Sequence, residues 1–346
     1  MIYAYIQIMR RLYMPKTSWN AGQLLKTSGS YWMGCTLHAS VKLDIYSCIG
    51  ATDKNVRQIS TLINAEIDAT TRLLDALVAM GLLIKKEDSY ANTPESAMFL
   101  QKSSPKYIGY MIMHHHHLVE GWSKLDQAVT TGRALRKSAS HADDENIRES
   151  FLMGMFNNAM NLAPLIIEQI DLSHKKHMLD LGGGPGTYAI HFCKKNPDLK
   201  ATIYDLPTTQ PFAENIINRF AMKDRINFIA GNYINNDIPG SYDAVWLSHI
   251  LHGEGPADCE KLIASAVSAL TPGGLILIHD FILNDTMDSP VFPALFSLNM
   301  LIGTKNGRAY ADKEIRDMLI KSGVANIRRI HMDMPNDSGV IAGDKL

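Results

Sequence analysis

The sequence predicts an α/β protein in which an open, largely parallel sheet carries helices on both faces and follows a mainly α N-terminal part. Three observations lead there. The apolar run His177-Met-Leu-Asp-Leu181 breaks into the turn Gly182-Gly-Gly-Pro-Gly186 and resumes as a helix near Thr187. Three more runs of strand length follow: residues 201–204 ending in Asp205, 226–230 ending in Gly231-Asn232, and 242–248 leading into His249-Ile-Leu-His252. Before Gly50 the apolar residues recur instead at helical spacing, as in Leu24, Leu25, Trp32, Leu37, Val41 and Ile45.

In chain order, the text opens with the apolar stretch 2–9 followed by Arg10-Arg11, too short and with its basic pair on the wrong side for a secretory signal. No run reaches the roughly 20 apolar residues of a membrane span. Residues 55–62 and 69–80 read as helices and 81–86 as a strand closed by Tyr90-Ala-Asn-Thr93, the layout of a winged helix. A helix meant for the DNA major groove carries basic and amide side chains. Segment 69–80 holds one Arg and one Asp among many leucines, which speaks against that role. Residues 106–131 are helical in period and contain His114-His115-His116-His117. Consecutive helix positions lie about 100° apart, so only His114 and His117 share a face, too few for a closed metal site. Residues 137–149 are polar, an exposed connection, and Phe151 opens the next helix. Helix 261–270, a turn at Thr271-Pro-Gly-Gly274, a fifth strand to His279 and a terminal hairpin of 326–334 with 338–342 complete the pattern.

Composition narrows the partners. The chain has 346 residues, 46% of them hydrophobic, enough for two ordinary domains. A net charge of −1 gives no electrostatic reason for nucleic acid or an anionic membrane, so a small-molecule partner is expected. Cys35, Cys48, Cys193 and Cys259 form no C-x-x-C pair, as suits reduced thiols in the cytoplasm.

The glycine turn is the main chemical signal. Without side chains, its backbone takes left-handed conformations and lets a bulky ligand lie against the main chain. A phosphate-binding P-loop requires Lys-Ser/Thr after the last glycine, and Thr187-Tyr188 stands there. Gly184-Pro-Gly186-Thr-Tyr-Ala189 does satisfy the dinucleotide pattern G-x-G-x-x-A. Asp180, just before the glycines, would repel a pyrophosphate and attract a cation, which favours S-adenosylmethionine (SAM) over NAD. Asp205 suits the ribose hydroxyls of either cofactor.

Taken together, LDLGGGPG, YDLP, AGNY, LSHILH and LTPGGLILI resemble the class I SAM-dependent methyltransferases. More narrowly they resemble the small-molecule O-methyltransferases grouped with caffeate, acetylserotonin and bacterial polyketide enzymes, from about Trp19 to the C-terminus. The resemblance implies a Rossmann-like catalytic domain over 151–346, a winged-helix-like dimerisation domain over 1–105 that makes a homodimer, and a helical connector over 106–150 lining the acceptor pocket. It implies transfer of a methyl group from SAM to a hydroxyl of a small aromatic or quinol-type acceptor. The cofactor-binding positions it implies are Met155, Asp180, Gly182, Gly184, Asp205, Leu206, Gly231, Asn232, Tyr233 and Ser248. His252 becomes the general base, because imidazole titrates near neutrality and a strand end faces the ligand crevice. His249 is the alternative base or a structural partner.

Two departures stand out. Asn232 replaces a frequent Asp at the adenine position, and can both donate and accept. Near the base, Asn299 stands where an Asp is expected and Arg308-Ala309-Tyr310 contains no Glu, so Glu254 or Asp280 is left to orient His252. C-methylation and a non-catalytic SAM-binding regulator are therefore the alternatives. A metal-dependent mechanism is a third.

Overall fold

A computed structural model describes residues 18–137, 144–330, 332, 334 and 336–346. The stretch 2–9, Arg10-Arg11 and residues 138–143 of the polar segment 137–149 lie outside the described residues. The chain forms two compact units, one of residues 18–120 with 144–157, the other of 121–137 with 158–346.

The first unit begins with α1 (Ala21–Ser28), α2 (Tyr31–Lys42) and α3 (Ile45–Ile49). Strand β1 (Lys54–Asn55) leads into α4 (Val56–Leu62), then come α5 (Ile67–Ala79), β2 (Leu83–Lys86), β3 (Ser89–Asn92) and α6 (Pro94–Leu100). Side chains start these helices where the sequence suggests. Asn55 and Gln58 exchange hydrogen bonds in a capping box before α4, and Thr93 caps α6 with Pro94 at its first position. Helix α5 begins two residues earlier than read, because the Glu66 carboxylate accepts from the backbone N–H of Asp68 and Ala69. Its apolar stripe of Leu74 and Leu77 joins Ile45, Tyr46, Ile49, Ile59, Leu83 and Tyr90 in one core. Much of α1 and α2 remains outside it, with Leu25 74% and Trp32 68% exposed.

Helices α7 (Gly109–Trp122), α8 (Leu125–Thr131) and α9 (Glu145–Glu168) follow. Among the described residues α9 is, by length and composition alone, long and apolar enough to cross a membrane, though charged and amide residues interrupt it. Half of that stretch is buried inside the protein, as in a core helix, and it begins at Glu145 rather than Phe151.

The second unit is the sheet. Its elements are β4 (His177–Leu181), α10 (Thr187–Lys195), β5 (Lys200–Asp205), α11 (Gln210–Arg219), β6 (Ile226–Ala230), β7 (Tyr242–Ser248), α12 (Pro256–Ser268) and β8 (Leu270–Leu283). After them come α13 (Val291–Gly303), β9 (Tyr310–Ala311), α14 (Asp312–Lys321), β10 (Val324–Ile330) and β11 (Ser338–Lys345). The strand order is β10-β11-β8-β7-β4-β5-β6, with β9 beside β8. Strands β4 to β8 are parallel, and the order reverses direction at β4, so the crevice beyond the C-terminal ends of β4 and β7 is the topological switch point. Residues 274–283 of β8 are buried on both faces, as a central strand between helix layers requires. That is why it runs past His279 to Leu283. Helix α12 starts at Pro256, five residues before the expected point, because proline's missing N–H is no loss in a first helical turn.

Replacing Ile276, which has no exposed surface at the centre of β8, by Ala should cost about 2–5 kcal/mol through lost burial and a residual cavity. Equilibrium denaturant unfolding measures this.

Candidate functional site

The glycine turn adopts the backbone that motivated its reading: φ is +64° at Gly182, +54° at Gly184 and +77° at Gly186. A Cβ at Gly182 would stand 2.3 Å from Ile250 Cδ1, whereas one at Gly184 would meet nothing within 4 Å. The Gly184 backbone therefore faces open space. Its N–H donates to Asp205 Oδ2 at 2.7 Å, while Asp205 Oδ1 accepts from Leu206 N at 2.6 Å and the Thr209 hydroxyl at 3.1 Å. These bonds hold the β5 carboxylate against the turn.

Asp180 is placed differently from the expectation. Its side chain lies beneath the turn and is fully buried, with Oδ2 accepting from Ala189 N at 3.2 Å in the first turn of α10 and Oδ1 without a partner. Burial pushes its carboxyl up to about 7. An orphaned buried carboxylate oxygen under a backbone that is open on its other side fits a cation-bearing ligand. Asn232 is half committed. Its Oδ1 accepts from Ile234 N at 2.9 Å, an Asx turn, so only its amide N–H groups remain to donate. Gly231 is a glycine for a packing reason, since a Cβ there would lie 2.1 Å from Tyr204 Oη. Tyr233 packs against the sheet core beside Gly182. Ser248 turns inward, its hydroxyl sharing a 2.9 Å hydrogen bond with His279 Nδ1, so its side chain is taken by the core. Met155 is half-buried on α9 in the first unit.

Beyond β7 the chain turns sharply. His249 takes φ +58°, an uncommon conformation for a non-glycine residue, and a 3₁₀ turn over Leu251–Gly253 brings His252 onto β8. There His252 Nδ1 lies 2.6 Å from Asp280 Oδ1, and His252 N donates to Oδ2 at 3.3 Å. Phe281 N also donates to Oδ1, at 2.7 Å. Burial by itself would raise the Asp280 carboxyl, but the charge and hydrogen bonds of His252 and His249 outweigh it and hold the group below the ordinary carboxylate range. An ionised carboxylate only accepts, so the His252 Nδ1 beside it carries a proton. Nε2 has no protein partner among the described residues.

Asp280, not Glu254, is thus the carboxylate that meets His252. Gly307 packs against the same turn: a Cβ there would lie 2.4 Å from the His252 carbonyl oxygen. Tyr310, from the same segment, donates to the Glu254 carbonyl at 2.7 Å and steadies the turn from below.

His249 sits 3.6 Å from Asp280 Oδ1, with its ring 4.4 Å from those of both His279 and Phe281. Burial lowers its pKa, against the raising effect of the neighbouring Asp280. The ligating atoms of His249, His252 and Asp280 lie within 4.8 Å of one another, the one such group of three among the described residues. The four-histidine run on α7 does not belong to it. Instead His116 meets Lys42 Nζ at 3.2 Å and His114 packs on Phe151.

Three aromatic residues that sequence reading missed cluster on one side of His252. Phe281 stacks on His252 at 5.8 Å, Phe296 stands edge-on at 4.7 Å, and Phe292 packs on Phe281 at 5.0 Å. Their signal was available in part: Phe292 and Phe296 are four apart on an apolar helix, and so share a face.

A family model described as an O-methyltransferase domain matches residues 122–325, and one for an O-methyltransferase dimerisation domain matches 25–102. The chain is 31% identical over 319 residues to 3-hydroxy-5-methyl-1-naphthoate 3-O-methyltransferase of Streptomyces sahachiroi, covering 91% of this chain and 92% of that protein. It is similar in structure to an O-methyltransferase family protein from Burkholderia thailandensis, with a TM-score of 0.85 at 25% identity over 95% of this chain and 99% of that one. Human N-acetylserotonin methyltransferase in complex with SAM shares the fold at a TM-score of 0.82 and 22% identity, over 96% and 99% of the two chains.

A depressed Asp280 carboxyl contributes stability above the ordinary carboxyl pKa of about 4 and loses it as the pH falls through the folded value. Asp280→Asn should therefore melt lower than the native protein at pH 7, by about 1–3 kcal/mol of stability. The gap should narrow below about pH 4, as melting curves across pH would show.

Proposed function

This chain belongs to the O-methyltransferase family, and on that premise we propose that His252, oriented by Asp280, is the general base that activates a hydroxyl of a small aromatic acceptor. The enzyme is a SAM-dependent methyltransferase acting on small molecules. SAM, when bound, supplies an electrophilic methyl group on a sulfonium. The observation that carries the reading of the base is the 2.6 Å contact between His252 Nδ1 and Asp280 Oδ1.

With Nδ1–H donated to Asp280, the His252 ring is fixed in one tautomer and presents its Nε2 lone pair. That nitrogen takes the acceptor's hydroxyl proton as the oxygen becomes nucleophilic, and the Asp280 charge stabilises the imidazolium that results. Phe281, Phe292 and Phe296 offer flat apolar faces beside the base, which suit a planar aromatic ring. The Streptomyces relative is named for a hydroxynaphthoate, an acceptor of that kind.

On the cofactor side we assign Gly182 and Gly184 to close backbone approach, Asp205 to ribose hydroxyls, and Asn232 with Gly231 to the adenine, with Asn232 as donor. Leu206 and Tyr233 flank these groups. Asp180 acts from beneath the turn as a buried counter-charge. Met155 is assigned an apolar contact. Ser248 contributes through its backbone position at the end of β7, since its hydroxyl is engaged with His279. We divide the chain into dimerisation, connector and catalytic parts at 1–105, 106–150 and 151–346.

The matched dimerisation domain supports a homodimer. We assign its interface to α1 and α2, where Leu24, Leu25, Trp32 and Met33 are each more than half exposed.

His252→Ala should reduce turnover about 10²–10⁴-fold while SAM affinity stays nearly unchanged. Isothermal titration and a methylation assay on a panel of phenols separate the two effects. Native turnover in His252→Ala with loss in His249→Ala would assign the base to the other histidine, and loss of activity in EDTA would point to a metal at the same three groups.

Light scattering should give a dimeric mass that persists on dilution, as interfaces above about 2,000 Å² do. The pair Leu25→Glu with Trp32→Glu should yield a monomer. A native protein that is monomeric at working concentration would refute the assignment.

A further inference from the structure

One half-buried cation, Arg136, is not accounted for by the fold. Arg136 follows α8, and its segment is pinned to the end of α13 where Leu135 N donates to the Ile302 carbonyl at 2.8 Å. The guanidinium lies flat over Gly303, where a Cβ would come within 2.6 Å of Cζ. Its Nη2 donates to Asn299 Oδ1 at 3.2 Å and Nη1 makes a long bond to the Lys137 carbonyl at 3.4 Å. Nε is buried with no partner. Arg136 forms no ion pair among the described residues. A guanidinium does not neutralise at any physiological pH, so it stays charged there.

Its address gives the charge a purpose. Phe292, Phe296, Asn299 and Gly303 are spaced four, three and four apart and form one stripe of α13. Phe296 is the ring set edge-on to His252, and Asn299 stands one helical turn further, about 4.5 Å along the axis. The Arg136–Asn299 pair is therefore on the stripe that borders the base, one turn removed. A planar acceptor with its hydroxyl at His252 would extend along these aromatic faces toward the guanidinium. The C-terminal end of α13 offers Arg136 some compensation through the helix dipole. It does not satisfy Nε, and Nη2 bonds the Asn299 side chain rather than a helix carbonyl.

We propose that Arg136, held in place by Asn299, binds the carboxylate of an aromatic acid, so that the acceptors are hydroxyaryl carboxylates in preference to neutral phenols. This rests on the reading that the acceptor hydroxyl meets His252. An anionic group at the far edge of the ring would meet a guanidinium that no carboxylate pairs among the described residues, in a fork geometry that suits a carboxylate.

The test compares 3-hydroxy-1-naphthoate with its methyl ester, using the full-length protein. Native enzyme should favour the acid in kcat/KM by about 10-fold or more. Arg136→Gln should lower kcat/KM for the acid about 10–100-fold and leave the ester within about 3-fold, with Arg136→Lys between the two. Asn299→Asp sets a carboxylate against the guanidinium and should shift preference toward the ester in the same way. Binding of both compounds to protein loaded with S-adenosylhomocysteine, measured by titration calorimetry, gives the same comparison without turnover. An unchanged acid-to-ester ratio in Arg136→Gln, equal loss of both acceptors, or no preference of native protein for the acid in either assay overturns the proposal and leaves Arg136 as a helix cap. His252→Ala separates the two readings: it should lower turnover of acid and ester alike and keep the binding preference for the acid.

Discussion

The contact between His252 and Asp280 is the constraint on which the rest of the site depends. A carboxylate in the middle of a sheet covered on both faces is costly unless every oxygen finds a partner. Asp280 finds them only because β7 and β8 run parallel in a register that pairs Ser248 with His279. That register brings the turn after β7 over the residue after His279. The left-handed backbone of His249 and the 3₁₀ turn complete the geometry. Gly307, kept bare against the His252 carbonyl, and Tyr310, bonded to the Glu254 carbonyl, support the turn from the neighbouring segment.

Three aspartates of the sheet unit show how the environment assigns chemistry to one residue type. Asp280 is buried with histidines and stays ionised, its carboxyl held low. Asp180 is buried with one backbone N–H and an empty oxygen, and burial carries its carboxyl up to about 7. Asp205 is less buried and holds Gly184, Leu206 and Thr209, which couples the end of β5 to the glycine turn. The first suits orientation of a base. The second suits a counter-charge that answers a cationic ligand, and the third suits recognition of hydroxyls.

Histidine shows the same rule. His279 is fully buried and bridged by Ser248 and Ser338, and burial holds its pKa well below the ordinary value. His249 is wedged edge-on and tilted between the rings of His279 and Phe281, while His252 alone of the three is bonded on one nitrogen and free of protein partners on the other among the described residues. Position three residues apart in sequence did not distinguish His249 from His252. Hydrogen bonding did.

The sequence by itself determined the elements whose signal is local. Strands 226–230 and 242–248 have the expected bounds, and the glycine turn takes left-handed backbone at the residues that lack a Cβ. His252 was legible as the candidate base because a motif at a strand end is a short-range feature. Tertiary structure alone decided which carboxylate serves it, since Glu254 is near in sequence and Asp280 is near in space. It also turned Asp180 and Ser248 away from their expected faces, and it joined Arg136 to Asn299 across 163 residues. Periodicity encodes which face of an element is apolar. It carries no record of which side chain on another element will stand opposite, because that follows from strand order and register, and these are fixed only when the whole sheet closes on its core.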